Sequence, residues 1–312
     1  MTGHYPVMLP EVLEALSPSD GGVYVDGTFG AGGYSAAILD AADCRVIAID
    51  RDPAARSRAA AMQEKYGDRL VFLCGCFGDV AQLLEGGGIG KVDGFVLDLG
   101  VSSFQIDEAE RGFSFRFDGP LDMRMNSESE EPTAADIVNN YDEKKLANII
   151  YLYGDERRSR QIARRIVERR AERVFETTED LADVVRDVVP KSHKDKIDPA
   201  TRTFQALRIA VNDELGELER ALISSEDVLN DGGRLVVVSF HSLEDGMVKR
   251  YLREKSGSEP RGSRYAPVAV DVGDVVFKLR GKKAVKPSDV ECKENSRSRS
   301  ARLRAATRVV AS

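Results

Sequence analysis

Residues 23–50 carry the feature that most restricts what this chain can fold into. A short apolar strand, Val23–Asp26, leads into a glycine-rich turn, a helix through Ile38 and Leu39, and a second strand, Arg45–Asp50, that ends on a carboxylate. The turn reads Asp26-Gly27-Thr28-Phe29-Gly30-Ala31-Gly32-Gly33-Tyr34. Its glycines permit a tight bend and close approach of a ligand to the backbone at a helix N-terminus. Asp50 follows Gly30 by twenty residues, the placement of a carboxylate that accepts hydrogen bonds from ribose hydroxyls. Glycines alone are weak evidence, but strand, turn, helix, strand and terminal Asp together point to a nucleotide-like ligand.

The rhythm continues. Asp52 can cap the helix that Pro53 opens, proline being favoured at the first helical position, and that helix runs to about Tyr66. Residues 70–73 and 94–98 read as the third and fourth strands. Continuous apolar strands alternating with helices indicate a mostly parallel sheet covered on both faces. From Gln105 to Asn212 the pattern is helical. Ile162, Ile166, Val167 and Val174 form an apolar stripe in an arginine-rich helix, and 128–132 is an acidic exposed connector. One long amphipathic helix through Phe204, Leu207, Val211, Leu215, Leu218 and Leu222 brings the chain back. Asp231-Gly232-Gly233 then turns into a strand over 234–240, with 275–279 and 301–305 as the last strands. A sheet interrupted after its fourth strand implies an insertion. The expected organisation is a discontinuous α/β domain of residues 1–104 and 213–312 around an all-helical domain of residues 105–212. A length of 312 residues suits two domains.

Charge is unevenly spread. The net charge is −7, yet residues 278–312 hold eleven Lys and Arg against three acids, and residues 154–174 hold eight arginines against four acids. Local basic zones on an acidic body suit docking to phosphates. The four cysteines, Cys44, Cys74, Cys76 and Cys292, do not make a disulfide framework in a chain of this size, so free thiols in a reducing cytoplasm are expected. No apolar run approaches a membrane span.

The turn departs from the Gly-x-Gly-x-x-Gly spacing of dehydrogenases and carries Asp26 at the strand end. An anion there repels pyrophosphate but suits a ligand bearing an ammonium and a sulfonium, as S-adenosylmethionine does. Phe77, in Cys76-Phe77-Gly78-Asp79, can place a ring near the adenine. Asp98 ends the fourth strand at the carboxyl edge, where such sheets bind ligands.

With these residues in place, the chain resembles the ribosomal small-subunit RNA (cytosine-N4) methyltransferase H family, MraW, nearly end to end. The resemblance rests on HYPVM from His4, DGTFGAGG from Asp26, AIDRDP from Ala48, LDLGVSS from Leu97 and ERGFSFRFDGPLDMRM from Glu110. YGDER from Tyr153, PATRTFQALRIAVNDEL from Pro199 and SFHSLED from Ser239 extend it. It implies a Rossmann-like S-adenosylmethionine-dependent methyltransferase sheet with an inserted all-helical, substrate-recognising domain. It further implies methylation of N4 of one cytidine in the decoding region of 16S rRNA, within the small ribosomal subunit, in the cytoplasm. The cofactor contacts it implies fall on Gly32, Gly33, Tyr34, Asp50, Phe77, Asp98 and Gln105. Tyr34 stands where histidine is common, and Phe104 and Ser296 stand where proline is common.

The sulfonium is already an activated methyl donor, so neither a metal nor a covalent intermediate is required, and the sequence offers no metal-ligand set. Related amino-methyltransferases use an Asp/Asn-Pro-Pro-aromatic loop after the fourth strand. Here the place is Asp98-Leu99-Gly100-Val101-Ser102-Ser103, without the prolines. The catalytic residue is left open, with Asp98 and His241 as candidates. For His241 the helix-start reading is the favoured one, and His4 sits in a terminal segment that can help close the site but has no local context for that role. Arg202, Gln205, Arg208 and Asn212 share a polar helix face and either contact RNA or buttress the insert. The arginine-rich helix is the better RNA candidate, too basic for internal pairing alone. Arg297, Arg299, Arg302 and Arg304 read as an edge strand with arginines outward. A DNA amino-methyltransferase and a non-enzymatic adenosine-ligand sensor are the alternatives.

Overall fold

The computed structural model describes residues 6–190, 198–258 and 275–309, so His4 lies outside the described residues. Seven strands, β1 (Val23–Asp26), β2 (Arg45–Asp50), β3 (Leu70–Cys74), β4 (Val92–Asp98), β5 (Leu229–Ser239), β6 (Phe277–Leu279) and β7 (Arg302–Arg308), form one sheet in the order β3-β2-β1-β4-β5-β7-β6. The pairs from β3 to β5 are parallel, and β7 runs antiparallel to both β5 and β6. This is a Rossmann-like sheet. The chain winds from β1 out to β3, then crosses back to start β4 on the other side of β1, which leaves a crevice at the carboxyl ends of β1 and β4.

Alternation builds the two faces. Val46, Ala48, Val96, Val236 and Val238 pack on one side with Val12, Leu16, Ile38 and Ala59 from the helices Leu9–Leu16, Gly33–Ala41 and Ala54–Tyr66. Ile47, Ile49, Phe95, Leu97, Leu235 and Val237 pack on the other with Leu84, Leu218, Leu222 and Val248 from Val80–Gly86, Glu214–Val228 and Ser242–Lys255. Successive side chains of a strand point to opposite faces, so a strand apolar throughout must be covered twice. Each fully buried Ile, Leu or Phe contributes roughly 1.5–3 kcal/mol as an upper estimate. No helix among the described residues is long and apolar enough to cross a membrane.

The chain divides into two compact units, residues 1–100 with 215–312 and residues 101–214. The joins lie four residues before and two after those read from the sequence. Gly100, at φ 100, ends the path of β4, and the Ser102–Gln105 capping box already starts a new helix, Ser103–Asp107.

Three expectations are corrected. The predicted edge strand of arginines is an inner one. β7 lies between β5 and β6, and Arg304 turns onto Asp245, with Nε donating to Oδ1 at 2.7 Å and Nη2 to Oδ2 at 3.2 Å. Arg297 and Arg299 precede the strand, in the 3-10 helix Ser296–Ser300. The long helix through Phe204 and Leu222 is two helices, Ala200–Asn212 and Glu214–Val228, broken at Asp213, whose φ of 48° lies in the left-handed region that Asp tolerates. Val174 is not part of the apolar stripe. Its helix, Ser159–Glu172, has ended, Val174 is 52% exposed, and Phe175 takes the buried place.

In the second unit, Ala134–Asn140, Glu143–Gly154, Ser159–Glu172, Thr178–Val188 and Ala200–Asn212 surround a core of Ile137, Leu146, Ile150, Ile162, Ile166, Leu181, Val185 and Leu207. Among the described residues it holds no strand, only the isolated bridge Pro120–Thr177. Asn212 holds a stretch of loop that helices cannot. Met123 sits at φ 63°, disfavoured for a residue with a β-carbon. Asn212 Nδ2 donates to the Met123 carbonyl at 2.8 Å, and its Oδ1 accepts the Met125 N–H at 2.7 Å. Asn212→Ala leaves both backbone groups unsatisfied in a buried place. We expect a loss of about 2–4 kcal/mol, read as a lower urea midpoint for this unit. An unchanged midpoint would show that the loop keeps its shape without that side chain.

Candidate active site

The glycine-rich turn continues the sheet beyond the end of β1. Gly27 N–H donates to the Val96 carbonyl on β4 at 2.9 Å, and Phe29 N–H to the Ile49 carbonyl on β2 at 3.0 Å. The turn thus bridges both neighbours of β1. Gly27 must be small: a β-carbon there would lie 2.6 Å from Leu97 Cδ2 and 3.2 Å from Phe77 Cβ. Gly32, at φ 78°, takes a left-handed conformation just before the helix Gly33–Ala41, where its own β-carbon would also strike Phe29 at 2.8 Å.

Three carboxylates sit at the carboxyl ends of these strands. Asp26 is fully buried. Its Oδ2 accepts Ser35 Oγ–H at 2.7 Å and its Oδ1 the Thr28 N–H at 3.2 Å, and burial pushes its carboxyl up to about 6. Asp98 is held well above the usual carboxylate range by burial, then by the charges of Asp26 and Glu244. Its Oδ1 is buried with no hydrogen-bond partner. Its N–H donates to Thr28 Oγ1 at 2.7 Å, so one threonine ties the ends of β1 and β4 together. Asp50 accepts the Gly30 N–H at 2.7 Å on Oδ2 and the Asp52 N–H at 2.8 Å on Oδ1; burial raises it against these two bonds. Asp52 in turn accepts the Ala54 N–H at 3.0 Å, as expected of a residue starting the helix Ala54–Tyr66.

The structure brings Gly32, Gly33, Asp50, Phe77 and Asp98 to one edge of the first unit. Tyr34 is placed otherwise than a ligand-facing ring: its side chain is buried, its hydroxyl donates to the Val7 carbonyl, and burial raises the phenol well above its ordinary value. Its backbone lies in the first turn of Gly33–Ala41. Phe77 is half-buried in the 3-10 turn Phe77–Asp79. Gln105 lies in the second unit, where its Oε1 accepts the Ser102 N–H at 2.9 Å and its N–H donates to Ser102 Oγ at 3.3 Å.

His241 is the N-cap residue of Ser242–Lys255. Glu244 Oε2 accepts the Phe240 N–H at 2.8 Å and the His241 N–H at 3.3 Å, and the ring Nε2 lies 2.9 Å from Glu244 Oε1 without the alignment of a hydrogen bond. This is the helix-start role. Cys76 is half-buried, and burial pushes its thiol up to about 12, so it is protonated and a poor nucleophile.

Sequence patterning missed two residues here. Thr28 sits among the glycines and carries no signal beyond its hydroxyl. Glu217, on Glu214–Val228, is buried and accepts the Gly78 N–H at 2.9 Å, which fixes the Phe77 turn from 139 positions away. Such a long-range contact leaves no local pattern.

The basic candidates divide. Gln205 Nε2 donates to the Tyr153 carbonyl at 3.1 Å, Arg202 Nη1 to Asp155 O at 3.3 Å, and Arg208 grips Glu214 with two bonds of 2.7 Å. With Asn212 they buttress the helical unit. The arginine-rich helix is less free than its composition suggests. Arg170 donates to the carbonyls of Val138 and Tyr141, Arg158 to that of Val188, and Arg169 and Arg173 meet Asp180. Arg160 and Arg164 are exposed; Arg164 is 3.9 Å from Glu143, both side chains open to water, a pairing worth little.

An anionic crevice lined by glycine, with a carboxylate at the second strand end and an aromatic ring beside it, fits a ligand that combines positive charge with a nucleoside. S-adenosylmethionine meets that description. The sequence model of the MraW methylase family matches residues 1–309. The chain is 60% identical to the ribosomal RNA small subunit methyltransferase H of Rhodospirillum rubrum, over 99% of this chain and 95% of that one. It is 57% identical to the protein of the same name in Paramagnetospirillum magneticum, over 99% and 96%. A solved rRNA methylase from Streptococcus thermophilus shows a distant likeness, with a TM-score of 0.42 at 11% identity over 97% of this chain and 94% of its own. The chain belongs to the MraW methylase family.

Proposed function

We propose that this protein transfers the methyl group of S-adenosylmethionine to N4 of a cytidine in the decoding region of 16S rRNA, in the cytoplasm, acting on the small ribosomal subunit. The observation that carries the donor assignment is the pair of buried carboxylates, Asp26 and Asp98, at the switch point of the sheet. Among the described residues neither forms an ion pair, and Asp98 Oδ1 has no hydrogen-bond partner. Two buried acids without a cation are costly, and a ligand with an ammonium and a sulfonium relieves that cost. Asp50 serves the ribose hydroxyls, Phe77 the adenine face, and Gly32 with Gly33 the close backbone approach. S-adenosylmethionine supplies a methyl group on a sulfonium that needs no further activation. The protein's part is to hold N4 in line, accept hydrogen bonds from N4–H and let the proton leave afterwards, because the N4 lone pair is delocalised into the ring. Asp98 is assigned to the donor, His241 to helix start, and no residue is assigned as base. The names of the relatives, together with the exposed Arg160 and Arg164 of the helical unit, support RNA as the acceptor. The loop after β4 lacks the prolines of the DNA-modifying pattern.

A methyl-transfer assay with naked 16S rRNA, isolated small subunits and duplex DNA tests the reading. Transfer to small subunits, with the label recovered as N4-methylcytidine, is expected. Labelling of DNA alone, or of another rRNA position, would overturn it.

Two predictions concern the donor site. Asp50→Ala should weaken S-adenosylmethionine binding by about 1.5–3 kcal/mol in calorimetry, since it removes an acceptor and frees the Gly30 N–H. Full affinity in the folded variant would remove Asp50 from the site. The second follows from Asp26. Its folded carboxyl titrates at about 6 against 3.8 unfolded, so the apo protein binds more protons than the unfolded chain between these values. Its stability contribution is complete below the unfolded value and is lost as pH rises through about 6, a change of about 3 kcal/mol. A cationic ligand favours the ionised form, so its affinity should rise with pH across the same window. Asp26→Asn should flatten that rise; an unaltered profile would show that Asp26 is not the group that senses the ligand.

A further inference from the structure

A second charged site lies in the first unit, away from the β1–β4 crevice, at the far edge of the sheet. β6 covers β7 only from Ala306 to Arg308. The chain leaves β6 through Arg280, whose N–H donates to the Ala305 carbonyl at 3.0 Å, and rejoins β7 at Val285, which exchanges bonds of 2.9 and 3.0 Å with Leu303. The loop between them, Gly281-Lys282-Lys283-Ala284, is therefore tethered at both ends and holds its lysines outward. With Lys249 and Arg253 from Ser242–Lys255, and with Glu11 and Glu14 from Leu9–Leu16, it lines a cleft of about 160 Å³.

Arg304, at the floor, is already paired with Asp245. The other five cations, Lys249, Arg253, Arg280, Lys282 and Lys283, have no carboxylate partner among the described residues, and all are exposed. Arg280 also faces Arg234, whose guanidinium is lowered by burial and then by Arg280's charge. Five cations against Glu11 and Glu14 leave an excess of positive charge, which makes a site for an anion. Glu11 Oε2, at the same cleft, is shielded from solvent and has no hydrogen-bond partner among the described residues. The cleft is too small to enclose a drug-sized or nucleotide ligand, for which roughly 300–1,000 Å³ is usual. It is open along the sheet edge.

We propose that this cleft binds the sugar–phosphate backbone of the RNA substrate, its cations meeting phosphates. The proposal rests on the reading that RNA is the acceptor. It adds a contact surface built by the β6–β7 edge, separate from the donor crevice.

Binding of a 16S rRNA fragment to the full-length protein, followed through a salt titration, tests it. Arg280→Ala/Lys282→Ala/Lys283→Ala should weaken binding about tenfold or more at low salt. It should also flatten the plot of log affinity against log salt by two to three units, about one per lost phosphate contact. Lys249→Ala/Arg253→Ala, on the opposite wall, should flatten it by up to two while leaving the tethered loop untouched. S-adenosylmethionine affinity should stay at the wild-type value in both. Wild-type slopes in both variants would overturn the proposal. So would an effect confined to the loop variant, which would mark a local folding change, or lost binding to anionic phospholipid vesicles with RNA binding intact. Failure of the wild-type protein to bind 16S rRNA would instead bring down the assignment of the substrate, before any variant is compared.

Discussion

Strands β1, β2 and β4, covered on both faces, can place an unpaired charge only near their ends. β1, β2 and β4 each carry apolar side chains to two cores, so an ionisable group anywhere along them would be stranded without water. Asp26, Asp50 and Asp98 are the last residues of those three strands. The site therefore follows from the packing. The strand order then puts the last residues of β1 and β4 on either side of the switch point, and the glycine turn spans them because no bulkier residue fits against Leu97 and Phe77.

Concentrating acids at that edge has an energetic consequence. Asp26 and Asp98 are raised mainly by desolvation, and Asp98 further by the charge of Asp26. Hydrogen bonds from Ser35 and Thr28 offset part of this for Asp26. Asp98 Oδ1 has no such help. An apo site of this kind is strained in charge, not in backbone. Its affinity is selective by sign: a pyrophosphate would add to the repulsion, while a sulfonium or ammonium removes it. Thr28 matters because its N–H holds the Asp26 carboxylate while its hydroxyl oxygen accepts the Asp98 backbone N–H, so it serves both strand ends at once.

Much of this edge was legible in the sequence because its signals are local. β1 and β2 were read to the residue, the glycine turn and Asp50 lie within one strand-helix-strand unit, and Asp52 did start its helix. What was not legible depends on distant partners. An arginine-rich strand looks like an edge strand by composition, and only the pairing of Ser239 with Arg302 and of Ala306 with Leu279 shows that β7 is inside the sheet. The break at Asp213 is hidden because apolar residues keep helical spacing across it. Val174 was chosen by period, but the helix had ended two residues earlier. The helix Leu9–Leu16 was not read as an element at all, its apolar face being only two turns long. Tyr34 fits the family pattern as a contact, yet its ring is taken up by the carbonyl of Val7, 27 residues earlier in the chain.

Counting arginines misjudges a surface, because what matters is how many have somewhere else to go. In the helix Ser159–Glu172 and its flanks, carbonyls at helix ends and Asp180 engage Arg158, Arg169, Arg170 and Arg173. A guanidinium bound to a buried carbonyl is structural, whatever its charge adds to the far field. At the β6–β7 edge the opposite holds: acids are few, Asp245 is taken by Arg304, and Glu226 by Lys255 and Tyr251. The cations there are left facing water. Since charges separated by more than about 8–10 Å are largely screened at physiological salt, the acidic remainder of the chain does not cancel them at contact range. A protein of net charge −7 can therefore hold a polyanion, provided that its unpaired cations are gathered in one place and outnumber the acids beside them.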